Sequence, residues 1–96
     1  MLNFIKLALR ITTDVFNDEI QLYIDDCLAE LTAMGVTNLM ITETEYDPQV
    51  KSAVVAYAKW KFGNNEDKDA WAAIYHGKLA QFQTMTGHTE WGDLNG

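Results

Sequence analysis

The stretch Asp47-Pro-Gln-Val-Lys-Ser-Ala-Val-Val-Ala-Tyr-Ala-Lys-Trp-Lys-Phe62 (DPQVKSAVVAYAKWKF) decides how the rest of the chain is read. Asp47 can accept hydrogen bonds from the free N–H groups of a first helical turn, and Pro48 sits where its missing donor costs nothing. Gly63 supplies a left-handed residue at the far end, and Asn64 and Asn65 continue into a turn. Between these limits Val50, Ala53, Val54, Tyr57 and Ala58 form one face, and Val55, Ala56 and Trp60 widen it towards a fully apolar cylinder. A helix of that kind needs neighbours on more than one side, so it is expected at the centre of a bundle.

Working outward, Leu2, Ile5 and Leu9 lie on one helical stripe with Phe4, Leu7 and Ile11 beside it, which predicts a short amphipathic helix from Leu2 to Leu9. Residues 12–16 read as a connection. Asn17 is expected to cap the next helix, with Asp18 and Glu19 in its electropositive first turn. That helix is expected to reach Met34 before Gly35, with Ile20, Ile24, Cys27, Leu28 and Leu31 as its core row. From Val36 to Tyr46 only Leu39, Met40 and Ile41 suggest a strand. With no second apolar run to pair with, the segment reads as a structured loop.

After the central helix, Asp67 or Asn65 is expected to cap a last helix in which Trp71, Ile74, Tyr75, Lys78, Leu79, Phe82 and Met85 fall on successive turns. Gly77 lies inside it at a cost of about 1 kcal/mol against alanine. The segment TGHTEWGDLNG, Thr86 to Gly96, has no apolar periodicity and reads as a flexible tail. The expected fold class is therefore all-α, a bundle of about four helices, with a helical domain over 1–86 and a C-terminal tail over 87–96. Core positions are expected at Ile20, Ile24, Leu28, Val54 and Tyr57. Leu39, Met40, Trp91 and Leu94 are candidate interface residues.

Composition narrows the function. Ninety-six residues, 48% of them hydrophobic, suit one domain burying roughly 65% of its extended-chain surface. Fourteen acidic against seven basic side chains give a net charge of −7, which repels phosphate, so nucleic-acid binding is not expected. Lys51, Lys59 and Lys61 are expected to lie along the apolar face of the central helix with their ammonium groups in water. One cysteine, Cys27, permits neither an internal disulfide nor a multi-thiolate metal site. The opening MLNFIKLALRI is broken by Lys6 and closed by Arg10, so it does not read as a signal peptide, and no stretch approaches the length of a membrane span.

Catalytic and metal patterns are equally sparse. Asp25, Asp26 and Glu30 offer oxygens, but without a local histidine or the glycine-centred calcium loop they read as a solvated face. His76 and His88 lack the i, i+4 spacing of a helical zinc site. There is no phosphate-binding glycine loop, nucleophile elbow or Cys/His pair. No cofactor is expected, and the chain is not read as an enzyme.

Several fragments in order resemble the small head-tail connector (adaptor) family of long-tailed bacteriophages and prophages. They are Leu9-Arg10-Ile11 after a short helix, NDEI from Asn17 to Ile20, DPQVKSAV from Asp47 to Val54, and YAKWKFG from Tyr57 to Gly63. A short polar link and a helix with Tyr75, Lys78 and Leu79 follow. Asn64, Asn65, Glu66 and Asp67 stand where members often carry a basic residue, so no charge contact at that corner is carried over. The resemblance implies an all-helical structural protein of the virion, put together in the host cytoplasm. It implies a homo-oligomeric ring, typically dodecameric, that joins the portal protein and offers a docking surface to a tail or stopper protein. DNA would pass through without specific binding, and there are no catalytic residues to transfer.

A second class of function is a small acidic helical regulator that covers a partner's basic surface. A third, an enzyme, would need a deep polar pocket around Asp25, Asp26 or His76.

Overall fold

In the computed structural model the chain folds into four helices: α1, Leu2–Leu9; α2, Asn17–Ala33; α3, Pro48–Lys61; and α4, Lys68–Asn95. The structure describes residues 1–36, 38–63 and 66–95, with 84–95 as backbone only. The all-α bundle expected from the pattern is the fold found, and α3 packs against each of the other three helices. Its start follows the sequence directly. The Asp47 carboxylate accepts from the N–H groups of Gln49 (2.8 Å) and Val50 (3.4 Å), and Pro48 occupies the first turn. At the other end Phe62 is extended and Gly63 takes φ +71°.

The first two helices end by one shared device. At the end of α1, Arg10 donates to Leu7 O (3.0 Å) and Ile11 to Lys6 O (2.9 Å). At the end of α2, Gly35 donates to Thr32 O (3.0 Å) and Val36 to Leu31 O (3.1 Å). Each pair satisfies two of the carbonyls a helix end leaves open and turns the following apolar residue, Ile11 or Val36, onto the core. Gly35 adopts its φ of +94° freely, whereas Arg10 at φ 60°, ψ 41° carries a side chain in the left-handed region at a cost of about 1 kcal/mol.

One expected cap does not form. The residue before α2 is Phe16, which offers no side-chain oxygen, and Asn17 is already helical. Its amide nitrogen instead faces Asp14 Oδ1 at 3.4 Å. Asp14 also takes the 2.7 Å ion pair from Lys6, whose side chain is only 10% exposed. Lys6 reaches water through that exposed carboxylate, which explains how a lysine fits on the inner side of α1. The paired ammonium holds the Asp14 carboxyl below its usual value.

Val36 and residues 38–46 belong to the structured loop expected, with one addition. Met40 and Tyr46 make an isolated antiparallel bridge, supported by Asp47 N–H to Leu39 O (2.9 Å) and Ile41 N–H to Glu45 O (2.8 Å). Tyr46 provides the pairing although no second apolar run is present. The loop closes directly onto the cap of α3.

Ile5, Ile20, Ile24, Cys27, Leu31, Val50, Ala53, Val54, Ala56, Ala58, Tyr75 and Phe82 are buried. Leu28 packs against this core but is only partly buried, and so is Tyr57. The aromatic at the centre is Tyr75, 1% exposed, which α4 contributes rather than α3. The small side chains of Ala53, Ala56 and Ala58 let neighbouring helices approach α3 closely, so a ring from outside fills the space. The backbone of α4 continues helically to Asn95, past the Thr86 at which a tail is expected to begin. Gly87 and Gly92 weaken a helix there, but no proline bars one. The side chains of Trp91 and Leu94, as candidate interface groups, lie outside the described residues.

Candidate functional site

The acidic groups that might have carried chemistry, Asp25, Asp26 and Glu30, lie exposed on α2. Asp25 accepts from the Gln21 amide (2.9 Å), and Glu30 accepts a 2.7 Å hydrogen bond from the Tyr75 hydroxyl. Among the described residues no group of three or more His, Cys, Asp or Glu is placed to hold a metal ion. Burial pushes the Cys27 thiol up to about 12, a shift that the neighbouring Glu30 charge assists. A thiol of that kind is a poor nucleophile at neutral pH. Burial raises the Tyr75 hydroxyl as well, followed by its bond to Glu30. His76 stacks edge-on against Trp60 with ring centroids 5.3 Å apart.

The lysines of α3 lie along aromatic faces. Lys61 Nζ is 3.9 Å from the Trp60 centroid, Lys59 Nζ is 4.5 Å from that of Trp71, and Lys51 Nζ is 5.1 Å from that of Phe4. Their stems cover apolar surface, and each cation–π contact contributes about 0.5–1 kcal/mol at an exposed site.

What distinguishes the surface is apolar. A groove of about 500 Å³ runs between α1, α3 and α4, walled by Phe4, Val55, Trp71 and Ile74. Its only charged lining groups are Lys51 and Lys78, and Lys78 donates to Gln49 Oε1 at 3.2 Å. Phe4 and Ile74 are each 45% exposed. Near the end of α1, Arg10, Lys59 and Asp67 share a second, more polar cleft with Phe62 and Trp71. On α2, Leu22 is 56% exposed beside the acidic side chains of the outer face. Leu7 and Val15 are exposed near the α1–α2 connection, and Met40 and Ile41 in the loop.

The structure divides the candidate interface residues. Leu39 turns towards the core and is partly buried, whereas Met40 is exposed next to the more exposed Ile41. The groove itself was missed by pattern reading. Phe4 reads as lying beside the α1 stripe and Ile74 as one of the residues on successive turns of α4, yet both stand half-open. The signal lay in the lysines: Lys51 stands one helical turn before Val55 and Lys78 one turn after Ile74, and both line the groove.

The sequence model of a family described as phage connector protein matches residues 1–91. No curated protein and no solved structure matches the chain significantly.

Proposed function

The chain belongs to the phage connector protein family, a structural rather than enzymatic family, and from that premise we propose that it joins head to tail as a ring on the portal vertex. In this reading several copies, twelve in the typical arrangement, encircle the channel. One side of the ring meets the portal protein and the other offers the docking surface for a tail or stopper protein. The protein acts in the virion after assembly in the host cytoplasm, and it performs no catalysis.

The observation that carries the reading is the extent of the family match, which takes in nearly the whole bundle, residues 1–91. Two physical features agree with it. The bundle leaves Phe4, Leu22, Met40, Ile41 and Ile74 at its surface, which suits a subunit that buries more area on assembly. Its charge of −7 also suits a wall along which DNA slides, because an acidic surface gains nothing from counterion release. Trp91 and Leu94 remain candidates for docking in the same assembly, since indole burial is among the largest single-residue contributions to binding.

Loss of the gene tests the role. Without this protein, DNA-filled heads and complete tails should accumulate separately, and purified protein should join them in vitro. Normal yields of infectious particles without the gene would rule the connector role out. A version lacking residues 88–96 that folds with unchanged stability but fails to join heads to tails would place Trp91 and Leu94 in docking.

A further inference from the structure

The groove between α1, α3 and α4 and the outer face of α2 are complementary. The groove is apolar along Phe4, Val55, Trp71 and Ile74, and its charged lining groups are two lysines, Lys51 and Lys78. Neither has a carboxylate partner among the described residues. On α2, Asp18, Leu22, Asp25 and Asp26 fall at i, i+4, i+7 and i+8, a single stripe on which an exposed leucine stands among three carboxylates. None of these four lines the groove, so the two surfaces are separate.

We propose that copies of this chain associate head to tail, with Leu22 of one copy seated in the Phe4–Ile74 groove of the next and its flanking aspartates against Lys51 and Lys78. The proposal rests on the ring reading given above and names the surfaces that would form the ring. The occupant is a second copy because charge decides against the symmetric alternatives. Groove against groove would set lysines against lysines, and α2 against α2 would set aspartates against aspartates. Only groove against α2 places opposite charges around an apolar centre, in a protein whose overall charge of −7 otherwise opposes self-association. A contact between two different patches leaves one copy with a free groove and the other with a free α2 face, so it propagates until a ring closes.

The test uses two full-length variants with opposite defects. Leu22→Glu removes the apolar centre of the α2 face and leaves the groove, and Ile74→Glu places a carboxylate in the groove and leaves α2. Both positions are exposed, and an unchanged far-ultraviolet circular dichroism melt checks folding; Lys78→Glu replaces Ile74→Glu if that variant melts early. In sedimentation velocity from micromolar to millimolar concentration, the wild type should form higher-order species. Each variant alone should associate at least about thirtyfold more weakly, as expected for a central interface residue. Mixed in equal amounts the two should form a one-to-one dimer and nothing larger, because only one productive contact remains. Wild-type protein that stays monomeric at millimolar concentration, variants that associate like wild type, or a mixture that stays monomeric would each overturn the proposal. Head-tail joining separates this from the wider reading. If the gene is required but both variants still complete infectious particles, the interface assignment fails and the connector role stands.

Discussion

The Tyr75 hydroxyl donates a 2.7 Å hydrogen bond to the Glu30 carboxylate, joining the last helix to the second beside the α3 axis. The tyrosine ring is buried in the core while Glu30 faces solvent, so the bond anchors the inner end of an aromatic group to the rim of the bundle. The ring itself packs edge-on against Tyr57 with centroids 5.0 Å apart. Tyr75→Phe keeps the packing and removes one charge-assisted hydrogen bond. Because Glu30 can return to water, the loss should be about 1–2 kcal/mol in urea unfolding. An unchanged midpoint would mean that the bond contributes nothing net.

Alkaline pH should weaken the fold through the same cluster. The Cys27 thiol is raised from 9.0 to about 12 and the Tyr75 hydroxyl is raised from 10.0, both chiefly by burial. A group whose folded value lies above its unfolded value stabilises fully below the unfolded value and loses that contribution as pH rises towards the folded one. The melting temperature should therefore be level from neutral pH to about 8.5 and fall steadily above about 9. Cys27→Ala should make the fall shallower. In native protein at neutral pH, Cys27 should react with a thiol reagent only at the rate at which the bundle opens.

Gly77→Ala should stabilise the protein. A methyl group at this position meets nothing within 4 Å, and the backbone there is ordinary helix. The substitution gains the helical preference of alanine, about 1 kcal/mol, and should raise the melting temperature by about 5 °C. A loss of stability would show that the glycine serves a contact the isolated chain lacks.

Val54→Asp tests the centre of the bundle. Val54 is fully buried on α3, where an aspartate would have neither water nor a partner cation. The cost of such a burial is several kcal/mol, enough to unfold a domain of this size. A cooperative melt at the wild-type temperature would contradict the position of α3.

How much of this was legible beforehand depended on whether the signal was local. The start of α3 was readable because Asp47 and Pro48 act within one turn, and so were the apolar stripe of α1 and the core row of α2. The cap at Asn17 was misread for a tertiary reason: Lys6, eleven residues earlier, recruits Asp14, and Asp14 in turn draws the Asn17 amide. The exchange of Tyr57 for Tyr75 at the centre has a similar origin. Periodicity marks both as inward-facing, but the helix that supplies the large ring depends on how closely alanines let α3 be approached. The groove was hidden because Phe4 and Ile74 continue apolar patterns that a single helix cannot distinguish from core.

Whether this chain links head to tail is decided by a focused cryo-electron microscopy reconstruction of the neck of the phage particle it comes from. The account predicts a closed ring of four-helix subunits next to the portal, into which this bundle fits with α3 innermost in each subunit. A neck filled entirely by other proteins, in particles from which this chain is absent, would contradict it.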